Sequence, residues 1–399
     1  MENILVTNIG KARCVAGPGA AELLGRELER LGVRRPLLVS DAGVAALPKY
    51  EKTLSQLKAA GLEPVVYDKV TPNPKDFEVM EGTELYKARG CDGVVGIGGG
   101  SSMDCAKGIS AMVRHEGKIM DYGRSTPNRR FFIRGREPLF CVPTTTGTGS
   151  ELSPHAVITN TERNNRKSDV QDPIFYNDMF FLDPEFACTQ SYETLRDTGI
   201  DALSHVIDSY TNRMMLTVQS PLHEAMGMKC CSLIAGKLKR AIDSRGQDLE
   251  AVLAMQWAAT LGGAMLDLNG SAIHGLSSVL QKYRHDMTHG VSVGIIMPAC
   301  MEYNLSTDYK KFAAIARALG ARTEGASERE QAELAVTTVE NLLAEIGFPK
   351  FADFRFTSEE IREMAEASVG NSMLPLNARE ITTAEEIASI YNRAAREVR

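Results

Sequence analysis

Gly93-Val-Val-Gly-Ile97 is a short apolar run that passes straight into Gly98-Gly-Gly-Ser-Ser-Met-Asp104 and then Cys105-Ala-Lys-Gly-Ile-Ser110. A buried strand, a glycine turn and a helix in that order constrain a chain strongly. Three glycines let the backbone approach an anion closely, and Ser101 or Ser102 can cap the helix that follows. The exposed N–H groups and the positive helix end then favour a pyrophosphate. A turn of this kind can also be no more than a tight connection, but the flanking strand and helix favour the cradle. The spacing is not Gly-x-Gly-x-x-Gly, so this is not the ordinary Rossmann fingerprint.

The surrounding segments keep the same rhythm. Ala20 to Leu31, Lys52 to Ala60 and Phe77 to Arg89 have apolar residues at helical spacing, and Arg35–Ser40 and Pro64–Tyr67 read as strands between them. Alternation of this type builds an open, mostly parallel sheet covered on both faces, with ligands at the carboxyl ends of its strands. Asp41 follows one such strand. It can take the adenosine ribose hydroxyls and repel a 2′-phosphate, or it can cap a helix; the residues leave both open. Pro143-Thr-Thr-Thr-Gly-Thr-Gly-Ser-Glu151, after the apolar Leu139–Val142, offers hydroxyls and bare backbone to a ligand. Arg163–Lys167 reads as a solvated turn.

Phe180-Phe-Leu-Asp-Pro184 looks like a last strand, and beyond it the hydrophobic period becomes helical to the end. Helices are expected over Thr198–Tyr210, His223–Leu238, Leu249–Leu266, Tyr309–Leu319, Glu328–Ile346, Ser358–Ala367 and Thr383–Arg396. Thr357-Ser-Glu-Glu360 and Thr382-Thr-Ala-Glu385 look like capping boxes. The chain therefore divides into an α/β domain, 1–184, and an all-helical domain, 185–399.

Within the first of those helices, Asp201 and His205 stand four residues apart, which places a carboxylate and an imidazole on one face. His274, in Asn269–Ser278, and His289, before Gly290, lie farther on. Either histidine alone would ordinarily be a core or surface residue. One carboxylate with three imidazoles suits Fe(II), Zn(II) or Co(II) and leaves a position for a substrate oxygen. His115, His155 and His223 lack such company, and His285 is ambiguous.

Composition excludes other classes. Lys and Arg total 45 against 51 Asp and Glu, a net charge of −6, which argues against nucleic acid or an anionic membrane as a partner. No apolar run is seen to approach the roughly 20 residues that span a bilayer. The start Met-Glu-Asn-Ile-Leu-Val has no secretory pattern. The eight cysteines are scattered without a Cys-x-x-Cys pair. Reduced, buried thiols in a cytoplasmic protein are expected.

Gly98–Lys107, Pro143–Glu151 and Gly199-Ile-Asp-Ala-Leu-Ser-His205, with Pro72-Asn-Pro74, Thr288-His-Gly290 and Met297-Pro298, resemble the iron-dependent (group III) alcohol dehydrogenases over essentially the whole length. The resemblance implies a Rossmann-like dinucleotide domain and an all-α metal domain in a dehydroquinate-synthase-like architecture, with a cleft between them. It implies Asp201, His205, His274 and His289 as ligands of Fe(II), with Zn(II) able to take their place. The NAD pyrophosphate would lie on Gly98, Gly99, Gly100 and Ser101, near Asp104. Asp41 would face the ribose, Asn73, Thr144, Thr145 and Thr148 would line the nucleotide, and Lys167 would stand near the nicotinamide ribose. A homodimer or larger assembly is implied as well.

Two departures qualify the resemblance. Many members have a histidine one turn after the third ligand, assigned to proton relay; here it is Ser278, which can pass a proton but not hold a charge near neutral pH. Leu280-Gln-Lys-Tyr-Arg-His-Asp286 replaces a more apolar turn, and Lys282, Arg284 or His285 would favour an acidic aldehyde if one faced the substrate. The expected activity is hydride exchange between NAD(H) and a primary alcohol or aldehyde, catalysed with a metal. A hydroxyacid–oxoacid transhydrogenase on the same fold, or a non-redox metal- and nucleotide-binding protein, fits the same residues.

Overall fold

The computed structural model describes residues 4–9, 11–163, 166–217 and 219–396. Its packing divides the chain into two compact units, Met1–Gln190 and Ser191–Arg399.

The first unit contains strands β1 (Leu5–Ile9), β2 (Ala12–Ala16), β3 (Pro36–Val39), β4 (Val65–Tyr67), β5 (Gly93–Gly98), β6 (Leu139–Pro143), β7 (His155–Asn160), β8 (Arg166–Gln171) and β9 (Met179–Leu182). Its helices are α1 (Leu24–Arg30), α2 (Ala42–Ala45), α3 (Pro48–Ala59), α4 (Asp76–Arg89), α5 (Gly100–Met112) and α6 (Pro184–Ala187). Seven strands form one sheet in the order β1-β2-β9-β6-β5-β3-β4. All neighbours are parallel except β1 and β2.

Successive residues of each strand feed opposite faces of the sheet. Leu37, Val39, Val94 and Leu139 pack with Val79 and Ile109 on one side, and Leu38, Val95, Phe140 and Phe181 pack with Leu24 and Leu57 on the other. Full burial of such a side chain contributes roughly 1.5–3 kcal/mol, so the two-sided pattern alone selects a covered parallel sheet. From β3 the chain adds β4 on one side, then returns to add β5, β6 and β9 on the other. The carboxyl ends of β3 and β5 thus flank the point where winding reverses, which is where such sheets bind ligands.

Two features depart from the expected rhythm. The β1–β2 pair is an antiparallel edge, and polar residues such as Thr7 and Arg13 obscure it in the sequence. Arg166 and Lys167 belong to β8, which pairs antiparallel with β7, rather than to a solvated turn. Asp183 accepts from Glu185 N to cap α6, and Phe186 is buried in the first unit's core, so the chain leaves that unit only after Gln190.

The second unit consists of α7 (Tyr192–Tyr210), α8 (Arg213–Thr217), α9 (Pro221–Asp243), α10 (Leu249–Met265), α11 (Ala272–Tyr283), α12 (His289–Gly294), α13 (Met297–Asn304), α14 (Tyr309–Ala318), α15 (Glu328–Glu345), α16 (Ser358–Ser368) and α17 (Ala384–Ala394). No strand occurs among its described residues. Ser191 caps α7 by accepting from Thr194 N, and α9, α10, α11 and α12 pack around α7, burying it from Gly199 onward. Leu249–Leu268, with a mean hydropathy of 1.3 over its most apolar window, is long and apolar enough to cross a membrane. The expectation of no such run is therefore corrected, but 67% of that window is buried inside the fold, as befits a core helix. The capping box at Thr357 and Glu360 forms as read, whereas the last one is Thr383 with Glu386, one residue beyond the expected frame.

Candidate metal and nucleotide sites

In the first unit β5 runs through the glycine turn straight into α5, as the sequence pattern predicts. Gly99 is the N-cap of α5 and no side chain caps the helix, so Ser101 and Ser102 sit inside the first turn rather than capping it. Ser101 Oγ instead accepts from Asn73 N at 3.3 Å, and Ser102 Oγ lies 3.5 Å from Asp41 Oδ2. An uncapped helix start of this length presents its N–H groups to an anion. A Cβ on Gly100 would come within 2.8 Å of Thr148 Cγ2, so only glycine allows that loop to close over the turn.

Asp41 fulfils one of its two expected roles visibly: Oδ1 accepts from Val44 N at 3.0 Å and caps α2. Its other oxygen faces Ser102 beside the cradle. Asn73 has a left-handed backbone, φ 55°, and its carbonyl accepts from Thr159 Oγ1 at 3.0 Å. Lys167 lies opposite Thr159 in the β7–β8 register, which brings it to the same edge. Thr144 N donates to Gly98 O at 2.9 Å, and Thr145 Oγ1 is buried with no hydrogen-bond partner among the described residues.

Asp104 is engaged through both of its oxygens. Oδ1 accepts from Ser150 Oγ at 2.6 Å and Oδ2 from Val157 N at 2.9 Å. It ties the threonine loop and β7 to α5. One turn on, the fully buried Lys107 donates to Ser153 O at 3.0 Å and His155 O at 2.7 Å. Burial pushes the Asp104 carboxyl up and the Lys107 ammonium down, since each charged form loses water.

In the second unit α7 carries Asp197, Asp201, His205 and Asp208, at steps of four, four and three residues that keep all of them on one face. His205 Nε2 lies 3.6 Å from Asp201 Oδ1, and His289 Nε2 approaches the same oxygen at 3.5 Å. The rings of His205 and His274 stack at 5.0 Å, and that of His289 stands 5.6 Å from that of His274. Ligand atoms of Asp201, His205 and His274 all lie within 4.8 Å of one another. His289 is outside that tight trio and its side chain is 41% exposed, against 4% for Asp201.

His274 supplies the sharpest test of fit. Nδ1 lies 2.9 Å from Asp208 Oδ2, whereas Nε2 is buried and has no hydrogen-bond partner among the described residues. A buried nitrogen without a partner, aimed into a carboxylate and an imidazole, suits a borderline divalent cation. Asp208 also accepts from the backbone N–H groups of Ser271, Ile273 and His274. Burial alone would raise its carboxyl, but the hydrogen bonds from His274 and Ser271 outweigh it and hold the group low. Burial likewise works against charge on His274, and Asp208 more than offsets it, raising that imidazole.

Ser278 lies one turn after His274, exposed, with Oγ donating to Gly275 O at 2.9 Å; its proton is engaged by its own helix. Arg284 does not offer a free cation. Its guanidinium grips Glu360 at 2.9 and 3.1 Å, donates to Phe354 O and covers the Phe356 ring. Lys282 and His285 are exposed. Asp197, Asp208, Ser271 and Thr288 join the site through contacts between helices, although the α7 face spacing by itself points to the two carboxylates.

Comparisons with known proteins place the chain in a family. A family model for iron-containing alcohol dehydrogenases matches residues 11–184, and the C-terminal model of the same family matches 196–395. A choline dehydrogenase of Bacillus subtilis is 34% identical over 366 residues, 92% of this chain and 89% of that one. A 1,3-propanediol dehydrogenase of Citrobacter freundii is 33% identical over 393 residues, covering 95% and 96%. The crystal structure of a 1,3-propanediol oxidoreductase superposes with a TM-score of 0.89 at 31% identity, covering 98% of this chain and 99% of that one. With matched models reaching into both units, the chain belongs to the iron-containing alcohol dehydrogenase family.

Proposed function

We propose that the chain is an NAD(H)-dependent, metal-dependent dehydrogenase of short primary alcohols, or reductase of the matching aldehydes. The observation that carries this is the convergence of Asp201, His205 and His274 with His274 Nε2 buried and unsatisfied. These three residues and His289 would hold iron(II), or zinc(II) in its place. When bound, the cation supplies Lewis-acid polarisation of the substrate oxygen. The uncapped start of α5, Gly98 to Ser101, would bind the pyrophosphate, with Asp41 selecting NAD by its charge. Asn73, Thr144, Thr145, Thr148 and Lys167 would line the same nucleotide.

Ser278 is a poor proton relay, because its hydroxyl already donates to Gly275 O. Water is the better carrier. Of the three cations that would favour an acidic substrate, Arg284 is bound to Glu360, while Lys282 and His285 are exposed. Choline and 1,3-propanediol, which name two relatives, belong at the head of a substrate panel. The cysteines are all unbridged, which supports a cytoplasmic setting, and a homodimer or larger assembly rests on the family resemblance.

An NAD-linked panel of short alcohols and aldehydes, run with Fe(II), with Zn(II) and after chelation, tests the proposal. Turnover should need NAD and metal and should fall at least about 100-fold in His274→Ala. Turnover indifferent to chelator and to that substitution would sink it. Activity with only an alcohol and an oxoacid, and no added NAD, would point to the transhydrogenase instead.

A further inference from the structure

The face of α7 that carries Asp201 and His205 continues to Asp208, seven residues after Asp201. Asp208 is 2% exposed and receives five donors from the start of α11: the N–H groups of Ser271, Ile273 and His274, the Ser271 hydroxyl and His274 Nδ1. No side chain of α11's own caps that helix, since Ser271 at its N-cap makes no such bond. The carboxylate of α7 does that work from outside. Behind it, Ser271 Oγ lies 3.4 Å from Asn377 Oδ1, and Asn377 and Asn304 exchange amide hydrogen bonds at 2.8 Å. Asp208, Ser271, Ile273, Asn304 and Asn377 are all buried.

A carboxylate is an acceptor only, so the hydrogen bond at His274 Nδ1 requires that nitrogen to carry the proton. The neutral ring then has its lone pair on Nε2, the atom that is buried without a partner. Free imidazole side chains favour the opposite tautomer, which would place a proton where a cation must sit. Resting on the metal site proposed above, we infer that Asp208 is a positioning residue: it caps α11, fixes the ring of His274 and holds its tautomer so that Nε2 is a ready ligand. A carboxylate at this place also makes the imidazole a stronger donor to the cation.

The test uses nitrogen-15 labelled, metal-free protein at mildly alkaline pH. With seven histidines in the chain, a His274→Gln difference spectrum assigns the ring. His274 should appear as the Nδ1–H tautomer; an Nε2–H ring overturns the inference, and this measurement requires no variant at Asp208 to fold. Zinc affinity is then measured by chelator competition. Asp208→Asn keeps an acceptor but loses the charge, and should weaken zinc about 10-fold. Asp208→Ala should weaken it by up to about 100-fold and admit the Nε2–H tautomer. Both variants binding zinc within about twofold of the native chain, while His274→Ala loses it, would overturn the role of Asp208 alone. If His274→Ala and Asp201→Ala also bind normally, the metal site itself fails and Asp208's role goes with it.

Discussion

Thr288 Oγ1 donates to Asp197 Oδ2 at 2.9 Å, which fastens the start of the helix bearing His289 to the helix bearing Asp201. Thr288 is also the N-cap of α12, accepting from Val291 N. Arg196 braces the same carboxylate from the other side. Asp197 and Asp208 therefore stand at either end of the Asp201–His205 pair on α7, one anchoring α12 and the other α11.

The anchor at Asp197 is close enough to be probed by one methyl group. A Cβ on Gly290 would lie 2.2 Å from Asp197 O, and backbone cannot yield as a flexible side chain would. Gly290→Ala should destabilise the protein by about 2–3 kcal/mol in urea denaturation. Thr288→Val, which removes a cap and a cross-link, should cost about 1–2 kcal/mol and loosen His289. A Gly290→Ala protein as stable as the native one would show that α12 does not pack on α7 in this way.

The cradle makes a parallel prediction. The methyl of Gly100→Ala would collide with Thr148 Cγ2 at 2.8 Å and push the threonine loop off the start of α5. The strain expected of such overpacking is about 1–3 kcal/mol, or roughly a 10- to 100-fold loss of NADH affinity if borne by the binding site. Fluorescence titration with NADH reads it directly, and an unchanged dissociation constant would count against Gly98–Ser101 as the nucleotide turn.

Lys107 is buried with its ammonium serving two carbonyls, near Asp104 at 3.8 Å. Lys107→Met would leave those carbonyls without their donor and the Asp104 carboxylate without its counter-charge, at a cost of about 3–5 kcal/mol. Adding Asp104→Asn should recover part of that loss, because the orphaned charge is gone; strictly additive losses would mean the two groups do not interact.

Much of this was legible in the chain itself, where the pattern is local. Asp201 and His205 announce themselves because four residues is one helical turn, and Gly98–Gly100 because a strand ends there. His274 and His289 gain meaning only as members of a set or through the family resemblance, since each is flanked by residues that fit a core equally well. Asp208 was harder, although it lies in the same helix. Its role depends on Ser271 and His274, more than sixty residues away, and spacing along one helix says nothing of what a partner helix brings. The engagement of Asp104 by Ser150 and of Arg284 by Glu360 is illegible for the same reason: those partners are distant in sequence. The β7–β8 hairpin escaped because its alternation is largely polar, and the last capping box slipped by one because Thr382 and Thr383 are equally good caps.

The Arg284–Glu360 pair decides both a pH dependence and a question of substrate. Hydrogen bonds from Arg284, and then from Thr357 N, lower the Glu360 carboxyl from 4.5 to about 2. A group depressed on folding contributes stability that is complete above its ordinary value and is lost as pH falls toward its folded value. The native chain should therefore melt higher than Arg284→Gln at neutral pH, and the gap should narrow between about 4.5 and about 2. A gap that stays constant through that window would mean the pair is not formed. Because the guanidinium is engaged by Glu360, the same variant should also leave the ratio of turnover on acidic and neutral aldehydes unchanged. If Arg284→Gln instead abolished a preference for a carboxylated or sulfonated aldehyde, Arg284 would have to release Glu360 to meet substrate, and an acidic substrate would regain its support.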